Sequence, residues 1–426
     1  KVSDIVRTIV VDDQSVQLGS KWPWPWINHA SVASFLSRTN VRVVGIDIRF
    51  ENYEDNIQGM EALRYYYSML GNVVLPYYFK THKDGVSYSE RQEGETDGDL
   101  KRYAIPVDRK FFNSIPEAKN YILPLKELRY SAWIGFTNMD EDSDGVVRKA
   151  PLLYKHGEDY YPSYILMILC RYYGKTASDI IVEKGFVRIK GTDISIPVNQ
   201  RGEMMINFRS LRFKGDPALQ ILKADRDISQ GMKSVVPLSD YEEKIVIYGV
   251  GMTGGYDIGL IPLSSNKSPL LLAHANALNT ILQKDYVHQV PHQALLALIF
   301  TALIGAVSLL QRQWPIWIAS VFLIIGLQAL SVAMFLSGNY YINGILPLFS
   351  MTLCLFSSTG YKLALEIKAK QQIKSILGKY ISKSVMDMLL KDPSMLKLSG
   401  DKKTMTVLFS DIKGFTAYSE NKTPDE

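Results

Sequence analysis

The run "TVLFSDIKGFTAYSENKTPDE" places a carboxylate at the end of an apolar stretch. Asp411 follows Val407, Leu408, Phe409 and Ser410, and Lys413-Gly414-Phe415-Thr416 then has the make-up of a turn that opens a helix. A carboxylate fixed at a strand end is a rigid ligand for a hard divalent cation. The free N–H groups of a helix start can hold phosphate oxygens, and a glycine there permits close approach. Asp411 is therefore a candidate metal ligand, and Gly414, Phe415 and Thr416 are candidate phosphate contacts. The same residues also suit a strand-to-helix turn with no chemistry, and the motif alone does not separate the two.

Two further groups of residues could do chemistry. Asp140, Asp142 and Asp144 with Gly145 read D-x-D-x-D-G, a spacing that can wrap Ca²⁺ as the first half of an EF-hand loop does. The twelfth position is Pro151, not a bidentate Glu, and strands are expected on either side, so a tight Asp/Gly turn fits as well. Asp13, Trp22, Trp24 and Asp47 fall at strand ends or in a rigid Trp-Pro block. They could line a sensor cleft, since open α/β sheets bind ligands at strand carboxyl ends. The competing reading is a structural corner in which prolines fix φ and tryptophans fill the core. His274 shares a helical face with Leu270, Leu271, Leu278 and Ile281, which fits a core histidine better than a ligand.

The elements that position these residues can be read in outline. "DIVRTIVV" (4–11) and "VRVVGIDIRF" (41–50) read as strands, with a helix between them capped at Asn28. Strand, helix, strand suggests a βαβ unit and a parallel pair. Further strands are predicted at Val73–Phe79, Trp133–Asn138, Val146–Tyr154, Phe186–Lys190, Ile194–Val198, Met204–Phe208 and Lys244–Val250. Helices are predicted at Ser163–Tyr173 and Pro269–Gln283, and a polar loop over Asp84–Arg102. The fold class expected for residues 1–290 is an α/β domain with some antiparallel hairpins.

Beyond that domain the charge disappears. From Gln293 to Tyr361 the only charged residue is Arg312. Three apolar segments follow, at about 294–310, 314–336 and 341–365, each near the roughly 20 residues that cross a bilayer as a helix. Trp314, Trp317, Tyr340, Tyr341 and Tyr361 stand at their ends, where interfacial aromatics belong. Three transmembrane α-helices in a lipid bilayer are therefore expected over 291–365. After Tyr361, ten lysines up to Lys403 face Glu366, Asp387, Asp392 and Asp401, a balance of +6 against +5 for the whole chain. The positive-inside rule then puts Arg312 and these lysines in the cytoplasm and the α/β domain outside. An earlier crossing helix, upstream of Lys1, is expected from that orientation. The near-neutral outer region lacks the basic face that nucleic-acid binding needs. Cys170 and Cys354 fall in regions too different to pair, so they carry no redox signal.

The connector 366–403 is helical in pattern. Ile373, Leu377 and Tyr380 make a short coiled-coil seam, Ser382 can cap a second helix, and Asp392-Pro393 ends it. No histidine occurs in it, which argues against a histidine kinase output.

Two resemblances now join these pieces. "VDDQSVQLGSKWPWPW", "VVGIDIRFE", "GFTNMDEDSDGVVRKAPLL" and "GMTGGYDIGLIPLSSNKSPLLLAHANALNTIL" resemble, in order, the second type of the CHASE sensor family, extracytoplasmic input domains usually followed by three spans. The likeness covers about residues 5–365. It departs at Trp26, where Arg more often follows the Trp-Pro-Trp-Pro block. "GKYISKSVMDMLL" and "DKKTMTVLFSDIKGFT" resemble the transducer and first strand of class III nucleotide cyclases.

The second resemblance implies a membrane receptor that converts ATP, or less commonly GTP, to the 3′,5′-cyclic nucleotide and pyrophosphate. It implies two Mg²⁺ or Mn²⁺ ions held by Asp411 and the Ile412 backbone carbonyl, and a homodimer through sensor, membrane helices and transducer. An unknown extracytoplasmic ligand or protein would set the output. The catalytic domain would begin at 404, and its other catalytic residues are expected beyond Glu426, so residues 404–426 alone would be inactive. The rival readings are a membrane sensor without catalysis and the same sensor on another output.

Overall fold

A computed structural model describes residues 2–50, 57–80, 97–107, 114–252, 257–290, 293–307, 313–342, 344–382, 385–387, 404–420, 422–423 and 425. The chain divides into two compact units, residues 1–291 with 328–343, and residues 292–327 with 344–426.

The first unit opens with β1 (Val6–Val11), α1 (Asp13–Leu18), α2 (Trp26–Ser37), β2 (Val43–Asp47), α3 (Ile57–Leu70), β3 (Val73–Lys80) and α4 (Asp97–Lys101). It continues through β4 (Asn120–Ile122), α5 (Lys126–Arg129), β5 (Trp133–Phe136), β6 (Lys149–Pro151), β7 (Leu153–His156), β8 (Asp159–Pro162) and α6 (Tyr164–Tyr172). Then come β9 (Ile180–Glu183), β10 (Phe186–Ile189), β11 (Ser195–Pro197), β12 (Glu203–Met205), β13 (Gly215–Pro217), α7 (Ala218–Ser229), β14 (Ile245–Val250) and α8 (Leu271–Leu282). Seven strands form the main sheet, in order β13-β1-β14-β2-β3-β4, with β5 also on β3. All its pairings are parallel except β3 with β4. The strands expected at 4–11 and 41–50 are parallel, but β14 lies between them, so they are not bonded neighbours.

The central strands β1, β2 and β14 are buried along nearly their whole length, which is why they read as continuous apolar runs. Helices cover both faces. Tyr248 of β14 meets His29 of α2, while a side chain on the next residue, Gly249, would run into Leu271 of α8 at 2.5 Å. The two residues point to opposite faces, as a period of two requires. Tyr164 presses so close to the second face that a Cβ on Gly45 would lie 2.5 Å from its hydroxyl, and one on Gly135 2.5 Å from its Cα.

Several boundaries differ from expectation. The stretch Val146–Tyr154 is not one strand: Val146 makes an isolated bridge to Leu260, and β6 and β7 pair with different partners. Leu152 alone separates those two strands, and Pro151, the last residue of β6, has no N–H to continue a ladder. The expected strand at 204–208 shrinks to β12. Asn28 does not cap α2; Pro25 precedes the first turn, and Asn28 reaches back to the Ser20 hydroxyl. Of the expected loop, 84–96 lie outside the described residues, and Asp97–Lys101 is helical.

Near the end of this unit, β17 (His288–Gln289) pairs in parallel with β18 (Tyr340–Tyr341); the short β15 (Ile258–Gly259) and β16 (Ser268–Pro269) precede them. A polar clasp holds this place. Arg209 donates to both carboxylate oxygens of Asp285, at 2.7 and 3.0 Å, and Asn339 donates to Asp285 at 2.6 Å. The guanidinium lowers the Asp285 carboxyl below its ordinary value.

The apolar region forms α9 (Gln293–Val307), α10 (Gln313–Gly338) and α11 (Ile345–Leu377), one in each expected segment. By length and composition only the Trp317–Gly338 part of α10 qualifies as a membrane span among the described residues, with mean hydropathy 2.3. α9 has 15 described residues, and α11 mixes Ser, Thr and Gly into its apolar half before lysines take over. Phe322 and Leu336 on α10 are 71% and 80% exposed, which suits hydrocarbon on that face.

Candidate functional site

A cleft of about 610 Å³ opens at the carboxyl ends of the parallel strands. Asp47 ends β2, Val250 ends β14, Tyr78 lies in β3 and Thr137 follows β5, and all four line it. Loops diverge at strand ends and leave a crevice there, so the position follows from the parallel topology. Trp22, Trp26, Phe50 and Met139 supply apolar wall. Trp26 and Phe50 meet edge to face with ring centroids 5.3 Å apart.

The charged groups are Asp47, Arg49 and Asp257. Loss of water raises the Asp47 carboxyl to about 7, with the Arg49 guanidinium pulling weakly the other way. Asp257 rises to about 6, first through loss of water and then through the Asp47 charge. Asp257 is exposed by surface area, so solvent screens its shift more than that of half-buried Asp47.

Under these carboxyls lie polar groups without partners. Both ring nitrogens of His274, which is 1% exposed, and the hydroxyl of fully buried Tyr164 make no hydrogen bond among the described residues. Their rings meet at 5.3 Å. Burial holds His274 down to about 4, against the charge of Asp257, so it is neutral near pH 7. Burial and the charge of Asp47 keep the Tyr164 hydroxyl protonated.

The expected cleft residues divide. Trp22 and Asp47 line the crevice. Trp24 is 2% exposed and belongs to the core, where its indole N–H donates to the Ser20 carbonyl at 2.7 Å. Asp13 is exposed in the first turn of α1 and does not line the cleft; its neighbour Asp12 caps that helix through the Ser15 N–H. The Trp-Pro block thus fits both readings, one tryptophan in the wall and one in the core. Beside Trp24, His29 accepts or donates to the Tyr248 hydroxyl at 2.7 Å, and burial pushes it down to about 3.

Asp140, Asp142 and Asp144 are engaged by cations of their own chain. Arg148 grips Asp144 with two bonds of 2.8 Å, Lys149 reaches Asp142 at 2.6 Å, and Asp140 accepts from the Tyr154 hydroxyl at 3.1 Å. Gly145 sits at φ +77°, and its N–H closes a turn on the Asp142 carbonyl at 2.9 Å. Of the two readings, this is the geometry of the ion-paired turn.

At Asp411 the expected strand is absent: residues 404–412 have no ladder partner among the described residues, and Leu408 and Phe409 are 89% and 91% exposed. A strand exists only where neighbours take up its N–H and C=O groups. The turn itself forms. Gly414 is left-handed at φ +80° and leads into α12 (Phe415–Ser419). Asp411, Ile412, Gly414, Phe415 and Thr416 are all exposed. No group of three or more His, Cys, Asp or Glu that could hold a metal occurs among the described residues.

Sequence reasoning missed Asp257, His274 as a cleft neighbour and Tyr164. No local signal marked them, because each is far from Asp47 in sequence and only the sheet brings them together.

No curated protein and no solved structure matches the chain. The family model for the CHASE2 domain matches residues 2–309, which takes in the whole parallel sheet and the cleft at its strand ends. The chain belongs to the CHASE2 family of extracytoplasmic sensor domains.

Proposed function

We propose that the protein is a multi-pass membrane receptor whose sensor domain governs a class III nucleotide cyclase, with ATP as substrate in preference to GTP. The observation that carries this reading is the order of parts: a CHASE2 sensor, an apolar helical region, a lysine-rich helix, then "TVLFSDIKGFT". The pairing of β17 with β18 supports the membrane topology. It brings the chain just before α9 next to the chain between α10 and α11, so both stretches face the same side, as three successive spans require.

Asp411 and the Ile412 carbonyl would hold one side of a two-ion Mg²⁺ or Mn²⁺ site, and such ions stabilise the attacking and leaving oxygens of phosphoryl chemistry. The described residues do not form a metal site by themselves. The residues after Asp411 contribute a left-handed glycine turn, which brings backbone rather than side chain toward a phosphate. Ile373, Leu377 and Tyr380 are 55%, 39% and 82% exposed along the connector, which fits a homodimer seam. The second reading is the same sensor on a non-catalytic output. It is favoured by the exposure of residues 404–412, which have no ladder partner among the described residues.

The test is cyclic nucleotide formation by the full-length protein with ATP or GTP and Mg²⁺ or Mn²⁺. Asp411→Ala is expected to lower turnover by at least about a hundredfold with folding intact, as loss of a group acting on the transition state does. Unchanged turnover removes the metal role, and no product from either nucleotide favours the second reading.

A further inference from the structure

We infer that the strand-end cleft binds a small organic cation, a protonated amine carried on an apolar body. The inference relies on the receptor reading only for the idea that binding is signalled onward. Its shape fits: about 610 Å³ is the size of small-molecule sites, with apolar walls and a few converging polar groups.

The polar groups converge as acceptors. Asp47 and Asp257 line the cleft and are carboxylates when ionised; neutral His274 lies buried behind the wall, within electrostatic reach of Asp257. An ammonium carries three donors and no acceptor, which this set suits and an anion does not. Asp47 and Gly45 share the face on which Tyr164 and α8 pack, so the carboxylate stands at the edge of a buried layer, with only its outer side open to the cleft. Trp22, Trp26 and Phe50 present rings that attract both a cation and its apolar body. Arg49, exposed at the rim, pulls weakly on both carboxyls.

The raised carboxyls add a signature. A cation favours their ionised forms, so its binding should release protons and strengthen as pH rises. The groups facing Asp47 are Arg49, Tyr164 and Asp257, and those facing Asp257 are Asp47, Arg49 and His274. Burial holds His274 down to about 4 and keeps the Tyr164 hydroxyl protonated, so the expected rise is assigned to the two carboxyls.

Titration calorimetry of the full chain in lipid nanodiscs with phenethylamine tests this, alongside 2-phenylethanol and 3-phenylpropionate of similar shape. The amine is expected to saturate the protein and to bind at least about tenfold more tightly than either analogue. Its affinity should rise from pH 5.5 to pH 8. Asp257→Asn, at the exposed mouth, and Asp47→Asn should each weaken it about tenfold, or about 1.4 kcal/mol. Absence of saturable binding at millimolar amine overturns the inference. So does equal binding of the alcohol or the acid, or wild-type affinity in Asp257→Asn. No nucleotide is present, so the result is independent of the cyclase assay.

Discussion

Asp47 shows how one residue can trade stability for readiness. Its carboxyl moves from an ordinary 3.8 to about 7 in the folded protein. Between those values the folded state holds the proton more often than the unfolded state. Stability from this group therefore falls as pH rises from about 4 to about 7, and is level above. His29 and His274 act with the opposite dependence: their folded values are depressed to about 3 and about 4, so stability is lost as pH falls below about 6.5. Thermal unfolding of Asp47→Asn beside the native protein isolates the first effect. The variant should be more stable at pH 8 by about 1–2 kcal/mol, with the gap closing toward pH 4. A gap that stays constant with pH would mean Asp47 does not titrate as described. Asp47 was legible in the sequence as the polar end of an apolar strand. Asp257 was not, because a single aspartate after a glycine-rich stretch has no local pattern, and its meaning comes from the sheet.

At the scale of elements, the cleft depends on how closely α6 lies on the sheet. Gly135 is the contact with least give, since an added methyl would meet the backbone of Tyr164 rather than a side chain that can rotate away. Gly135→Ala is expected to cost about 1–3 kcal/mol, seen as a melting temperature lower by about 2–4 °C per kcal/mol. An unchanged melting temperature would show that α6 can lift without cost. Strand existence was readable from β-branched runs at β1, β2, β3, β5, β10 and β14. The helix α3 was missed although Met60, Leu63, Tyr67 and Leu70 have helical spacing; three consecutive tyrosines blurred the polar face. The order of strands was not readable at all. β14 enters between β1 and β2 from about two hundred residues later, and nothing in either neighbour's sequence encodes that insertion. The strand expected before Asp411 failed for a related reason: pairing is a property of two segments, and an apolar run records only one of them.

For the whole molecule, the decisive question is sidedness. Lys184 is exposed in the turn between β9 and β10, and Lys379 is exposed in the connector. Of the native thiols, Cys170 is fully buried and pushed up to about 12, and Cys354, half-buried in α11, is replaced by Ser in both labelling variants. A membrane-impermeant maleimide should label Lys184→Cys in intact cells and Lys379→Cys only after permeabilisation. The reverse pattern would invert the proposed topology. The charge desert made the apolar helical region readable in outline, with α9, α10 and α11 falling in the three expected segments and one of them, among the described residues, apolar and long enough to cross a bilayer. The clasp at Asn339 was invisible beforehand, being three polar residues drawn from distant places. Its effect is mechanical. A rod gripped at its rim by Arg209 and Asp285 cannot slip against the head that grips it. Asn339 directly follows α10, so the bonds to Asp285 anchor the end of that helix at a fixed point instead of leaving it on a loose tether.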